Sequence, residues 1–238
     1  MQNRFINFCL IFFLLFNITN LLPQEVDHEY SKGELYYKYG YKLANNDFDS
    51  SEYYLKLALP LLKKQKNWEY YVDCLNGLSL ISYYRGNFES ANKYIMLAVN
   101  EGEQKLSQNN PYYGAALNNQ GIFYRNKGDY LKAINSYRKS ILINSQSDSL
   151  YHQLAANFQN LGNIYRSKKD LEKSIEYYHR VINLRKKDKQ NNYEKFIAES
   201  YFSLGNCYED IKEYNKALSF YSKTLKEYNK FNDDDFVA

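Results

Sequence analysis

The chain has 238 residues, of which 45% are hydrophobic and 24% charged, with a formal net charge of +4. That balance belongs to a folded protein and argues against intrinsic disorder, while only three Pro and ten Gly argue against an all-β fold built on many tight turns. The basic clusters Lys63-Lys64-Gln65-Lys66 and Arg185-Lys186-Lys187-Asp188-Lys189 are broken by polar or acidic residues. They read as solvated helix ends rather than as a nucleic-acid or membrane patch.

In chain order, Arg4 comes first and the stretch from Phe5 to Phe16 is almost wholly apolar, followed by a polar run ending in Pro23-Gln24-Glu25. This is the order of a secretory signal. A small-x-small cleavage site is not visible, and counting through Leu22 gives 18 residues interrupted by Asn7, Asn17 and Asn20. That length lies between a signal peptide and a membrane anchor, so residues 1–24 are expected to be one or the other. Arg4 before the run and Glu25, Asp27 and Glu29 after it predict export, with the bulk of the chain periplasmic, secreted or anchored facing outside the cytoplasm. Cys9 lacks the small neighbours of a lipidated cysteine.

Beyond residue 30 the sequence repeats. Apolar residues that open an amphipathic helix stand at Phe48, Phe88, Tyr130, Leu171 and Tyr214, at intervals of 40, 42, 41 and 43. From each, a small residue follows at three and large apolar residues at about four-residue steps: Phe48, Ser51, Leu55, Leu59; Ala91, Ile95, Val99; Tyr130, Ala133, Tyr137, Ile141; Tyr214, Ala217, Tyr221, Leu225. These offsets mark one face of an α-helix. Upstream, Gly121, Gly162 and Gly205 recur inside a preceding helix. Glycine there costs about 1 kcal/mol relative to alanine, so its repetition implies close packing on the partner helix. In repeats one and two, Tyr39 and Ser79 take its place in this alignment. Turns are expected at Arg85-Gly86-Asn87 and Asn126-Lys127-Gly128-Asp129, and helix starts at Asn67-Trp68 and Asn110-Pro111.

Leu161-Gly162-Asn163-Ile164-Tyr165, Leu204-Gly205-Asn206-Cys207-Tyr208 and Gly128-Asp129-Tyr130-x-x-Ala133 resemble the tetratricopeptide repeat. The interval exceeds the usual ~34 residues of that family and is similar to the long repeats of kinesin light chains and of bacterial signalling proteins. The resemblance implies an all-α, right-handed α-solenoid of about five antiparallel helix pairs. The expected units are 31–71, 72–113, 114–154, 155–197 and 198–231, within a solenoid spanning 25–231 and followed by an acidic tail at 232–238. It also implies that Gly121, Tyr124, Ala133, Gly162, Tyr165, Gly205, Tyr208 and Ala217 pack the repeats.

Such arrays curve, and one face of the first helices lines the inner wall. Carried onto this sequence, the resemblance implies a peptide-binding wall of Asn118, Arg125, Asn126, Gln159, Asn163, Arg166, Phe202 and Asn206, with Ile122, Ser167, Glu209 and Asp210 beside them. Repeat two offers Asn76, Leu80, Tyr83 and Tyr84. Amides can hold the backbone of an extended peptide, and the two arginines can pair with its acidic groups. The alternative is that these residues only keep an unused surface soluble, that Tyr83 and Tyr84 pack rather than stack on a ligand, and that Trp68 is core.

No nucleophile elbow, P-loop, dinucleotide fingerprint or HExxH occurs in the sequence, so no enzyme activity or cofactor is expected. His28, His152 and His179 are scattered, and no metal site is expected. Cys74 and Cys207 fall three repeats apart, too far for a disulfide, so buried free thiols are expected. The predicted partner is a protein or extended peptide, not nucleic acid, with the membrane reached only through residues 5–22 if they are retained. The apolar ridge Tyr214, Leu218, Tyr221 and Leu225 adds self-association, or a place in a larger signalling assembly, as the competing reading.

Overall fold

A computed structural model describes residues 30–146, 150–187 and 194–235; the predicted signal or anchor segment lies outside them. Ten helices occur among the described residues, and no strand. They are α1 (Lys32–Leu43), α2 (Phe48–Gln65), α3 (Trp68–Tyr84), α4 (Phe88–Lys105), α5 (Pro111–Asn126), α6 (Tyr130–Asn144), α7 (Tyr151–Ser167), α8 (Leu171–Lys187), α9 (Glu194–Asp210) and α10 (Tyr214–Asp235). Each odd-numbered helix packs on the even-numbered one that follows, and each pair packs on the next. The fold is a solenoid of five helix pairs. None of the described helices is long and apolar enough to cross a membrane.

The five repeating apolar residues are the first residues of α2, α4, α6, α8 and α10. Polar side chains start the helices locally. Asp47, Asn67, Asn87, Asn110 and Asp129 each accept a bond from a first-turn backbone amide, and Ser31 forms a capping box with Glu34. A cap of this kind contributes about 1 kcal/mol. Unit boundaries drawn at Val72, Gly114, Ala155 and Ala198 fall about a turn inside α3, α5, α7 and α9, because those helices begin before the glycine-centred motif. Residues 232–235, expected as tail, continue α10.

The buried stripe of the second helices differs from the expected ridge in its last member. Ser51, Leu55, Ala58 and Leu62 are buried in α2, and Ala91, Ile95, Ala98 and Gly102 in α4. The position three residues after the central large residue is therefore buried in all five: Ala58, Ala98, Ser140, Val181 and Thr224. Leu59, Val99 and Ile141 are half-buried and Leu225 exposed, since a step of three follows a helix face more closely here than a second step of four. The opening residues Phe48, Phe88 and Tyr214 stand largely in solvent at the turn edge.

Small residues set the closeness of each pair. A Cβ on Gly121 would meet Tyr137 Cε1 at 2.5 Å, and one on Gly162 would meet Tyr178 Cε1 at 2.7 Å. Tyr221 crowds Gly205 in the same way. Repeat one uses Gly40, whose Cβ would meet Leu55 at 2.7 Å. The seam residue of repeat one is thus Gly40, not Tyr39. The step from the seam residue to the first residue of the second helix is eight in repeat one, Gly40 to Phe48, and nine in the other four, so counting back nine from Phe48 lands on Tyr39. Hydroxyls reinforce the seam. Ser51 and Ser174 donate to the carbonyls of Gly40 and Gly162 at 2.8 and 2.9 Å. In repeat two the bond runs the other way, from Ser79 to the Ala91 carbonyl at 2.8 Å.

Tyr124 is half-buried, and Ala133, Tyr165 and Ala217 are buried. Tyr165 stacks on Tyr177 and Tyr208 on Phe220, with ring centres 5.5 and 5.3 Å apart. Cys74 and Cys207 are free and buried, and burial pushes both thiols up, away from reactivity. Trp68 is half-buried against the first-repeats core, edge-on to Tyr71 at 5.9 Å.

Candidate functional site

Aligning the repeats on their seam residues, Gly40, Ser79, Gly121, Gly162 and Gly205, puts equivalent side chains of successive first helices side by side. Three residues before the seam stand Tyr37, Asn76, Asn118, Gln159 and Phe202. One residue after it stand Tyr41, Leu80, Ile122, Asn163 and Asn206. Four and five after it come Tyr83-Tyr84, Arg125-Asn126, Arg166-Ser167 and Glu209-Asp210. These residues form the wall made by the stacked first helices. Tyr37 and Tyr41 extend the wall into repeat one, for which the sequence reading names no wall residue.

Much of the polar wall is engaged with itself. Asn126 Nδ2 donates to the Tyr83 hydroxyl of the preceding repeat, and Arg125 donates to Asn126 Oδ1 at 3.3 Å and, across to the next repeat, to Asn160 Oδ1 at 2.9 Å. Asn160 Nδ2 donates back to Asn118 Oδ1 at 3.3 Å, Asn118 Nδ2 to Asn119 Oδ1 at 3.3 Å, and Asn119 Nδ2 to Asn76 Oδ1 at 2.7 Å. Repeats two, three and four are thus tied by one amide–arginine web. Asn118 has both amide atoms inside it, so its role is inter-repeat bonding rather than a free peptide clamp. Gln159 accepts from Ser200 at 3.2 Å and donates to Ser203 at 3.5 Å, joining repeats four and five.

Asn163 and Asn206, expected to hold a peptide through both amide groups, have their carbonyl oxygens occupied. Tyr178 donates to Asn163 Oδ1 at 2.8 Å, and the single Tyr221 hydroxyl proton is shared between Asn206 Oδ1 at 2.9 Å and Glu209 Oε2 at 2.7 Å. The amide nitrogen is the atom each can offer a ligand. Arg166 Nε donates to Asp210 at 3.0 Å, an ion pair between half-exposed side chains. One nitrogen of the fork is used in that pair, and Arg166 lines a hollow of ≈ 500 Å³ together with Asn163, Ser167, Lys169, Tyr178, Ser203 and Asp210. Phe202 stands 51% exposed at the end of the wall, 5.7 Å from the Tyr221 ring.

A second hollow occupies the equivalent place between repeats one and two. It measures ≈ 410 Å³ and is lined by Tyr41, Phe48, Leu55, Leu80, Ile81 and Tyr84, among others. Its chemistry is apolar because Leu55 stands where Tyr178 lines the other, Tyr41 where Asn163 does, and Leu80 at the position of Asn206. Tyr84 lies parallel to Phe48 at 6.0 Å on its rim, while Arg85 bridges Asp49 and Glu52 beside it. Among the described residues, no group of three or more His, Cys, Asp or Glu is placed to hold a metal ion. His152 and His179 lie edge-on to Phe196 and Phe220, away from both hollows.

Pairs of long helices, a glycine seam and a wall of first-helix side chains define an α-solenoid of the class that binds other proteins. The model of the tetratricopeptide repeat matches residues 112–187 and 155–230, between them half of the chain. The chain belongs to the tetratricopeptide repeat family. No curated protein matches it. Among solved structures it is similar to BtubC from P. vanneervenii, at 14% identity and a TM-score of 0.65 over 84% of this chain and 89% of that one. It is also similar to a putative kinesin light chain with nearly identical TPR-like repeats from Podosopora anserina, at 13% identity and 0.63 over 83% and 95%. A signal transduction ATPase with a tetratricopeptide repeat sensor, from Pyrococcus horikoshii, gives 18% identity and 0.70 over 84% of this chain and 30% of that one. At these identities the likeness is one of fold.

Proposed function

We propose that this chain is a non-enzymatic, exported scaffold that captures an extended segment of another protein along its first-helix wall. The observation that carries the reading is the pair of equivalent hollows, three repeats apart, one apolar around Leu55 and one polar around Asn163 and Arg166. A wall that only kept itself soluble has no need of such chemically distinct recesses. Interaxial distances of 8–10 Å per packed helix put the two about 30 Å apart, a span of about nine residues of extended chain. The test is affinity capture with the exported form, followed by Arg166→Ala and Asn163→Ala against the captured partner. Each is expected to weaken binding about tenfold, the order of one lost charge-assisted hydrogen bond; unchanged affinity in both removes the wall from the reading. Export rests on the charge order around residues 5–22, and N-terminal sequencing of protein recovered outside the cytoplasm tests it.

A second reading, a module of a larger assembly, has its own observation. Tyr130, Ile134 and Ile141 of α6 belong to the core shared with repeat four, whereas their counterparts Tyr214, Leu218 and Leu225 on α10 are 59%, 62% and 65% exposed. Light scattering on the full chain separates the two: a strict monomer at high concentration favours the stand-alone scaffold.

A further inference from the structure

The N-terminal half of the wall carries a carboxylate with no cation of its own. Asp73 of α3 lies between α1 and α5, half-buried. Tyr37 donates its hydroxyl proton to Asp73 Oδ2 at 2.8 Å, and Tyr41 donates to the Asp73 carbonyl at 2.8 Å. The Tyr70 ring lies parallel to Tyr37 with centres 4.3 Å apart, and the Tyr112 ring stands edge-on to Tyr70 at 6.1 Å. All three rings are half-buried, on the wall rather than beneath it. Other acids of the array have a cation: Asp210 has Arg166, and Asp49 and Glu52 share Arg85. None of the ion pairs among the described residues reaches Asp73.

A half-desolvated carboxylate without a counter-charge is a standing cost to the fold. Burial pushes the Asp73 carboxyl above its ordinary range, and hydrogen-bond donors, Tyr37 first among them, offset only part of that. Tyrosine faces carry negative quadrupole density that attracts cations. The two features ask for the same ligand. We propose that Asp73, with the rings of Tyr37, Tyr70 and Tyr112, forms a seat for a lysine or arginine side chain of the extended partner. The inference rests on the wall-binding reading and adds direction to it. The partner's basic residue lies toward repeats one to three, and its acidic groups toward Arg125 and Arg166 of repeats three and four.

The experiment needs no partner. The full chain, labelled at tyrosine rings, is titrated with N-acetyl-argininamide and with its neutral isostere N-acetyl-citrullinamide. The arginine probe is expected to shift the Tyr70 and Tyr112 resonances saturably, with at least tenfold preference over citrulline. Asp73→Asn should abolish that preference, Tyr70→Phe should keep it, and Tyr70→Leu should weaken it severalfold. A carboxyl raised in the folded state is neutral in both states below about pH 4, and its cost sets in as pH rises through the folded value. Asp73→Asn is therefore expected to raise Tm at pH 7 and leave it unchanged at pH 3. Equal binding of the two probes, or arginine preference retained in Asp73→Asn, overturns the seat; a lower Tm for that variant at pH 7 makes the carboxylate structural and overturns it as well. The two readings fail separately, since partner capture with Arg166→Ala decides the wall and the arginine probe decides the seat.

Discussion

Tyr137 lies so close over Gly121 that a methyl group on that glycine would come within 2.5 Å of the ring. The seam is a matched pair, and repeat two holds the natural alternative, Ser79 opposite Ile95, joined by the Ser79 bond to Ala91. Gly121→Ser alone is expected to destabilise by about 2 kcal/mol through overpacking. Tyr137→Ile alone is expected to cost about 2–4 kcal/mol through the cavity left behind. Together they rebuild the repeat-two seam, so the double variant should recover at least ~1 kcal/mol of the summed loss. Urea unfolding followed by circular dichroism supplies all three values, and strict additivity would mean that the pair is not coupled.

The equivalent tyrosines differ at their hydroxyls. Tyr178 donates to Asn163 at 2.8 Å, whereas the Tyr137 hydroxyl is buried with no partner among the described residues. Tyr178→Phe should cost about 1 kcal/mol, the net worth of one hydrogen bond. Tyr137→Phe should be neutral or stabilising, because it removes a desolvated polar group that has nothing to lose. Equal penalties for the two would contradict the difference between the sites.

The turns within repeats two to five pass through a left-handed residue. Gly86 and Gly128 occupy it in repeats two and three with φ of 74° and 79°, but Lys169 and Lys212 occupy it in repeats four and five at 62° and 63°. A side chain in this region costs about 1 kcal/mol, part of which glycine returns through its freer unfolded state. Lys169→Gly and Lys212→Gly are each expected to add ~0.5 kcal/mol, and Gly128→Lys to lose a comparable amount. Thermal melting reads all three, and a destabilised Lys212→Gly would show that the lysine makes a compensating contact.

The starts of α2, α4, α6, α8 and α10 were legible because one aromatic or aliphatic residue opens each of them after a polar cap, and that signal is local. Gly40 was not, since it stands eight rather than nine residues before its second helix and only the packed pair reveals which residue meets Leu55. Asn118, Arg125 and Asn163 were legible as wall residues but not as partners of Asn160, Asn126 and Tyr178. Which amide atom remains for a ligand depends on distances between repeats. Asp73 gave no signal at all. Its counterparts are Glu34 and Glu199 in repeats one and five but Ala115 and Ala156 in repeats three and four, so the acid is not a constant of the repeat, and its tyrosines come from three different helices.

The web from Asn76 through Asn119, Asn118, Asn160, Arg125 and Asn126 to Tyr83 also bears on how the array bends. In a linear stack each unit is held by its neighbours alone, so the bonds across each junction set its hinge stiffness. A ligand that drew the Arg125 guanidinium away from Asn160 would leave the Asn160–Asn118 bond as the remaining tie of this web between repeats three and four. Under the wall-binding proposal, recognition at that residue would be an exchange of bonds, and its mechanical counterpart would be a softer hinge at that one junction.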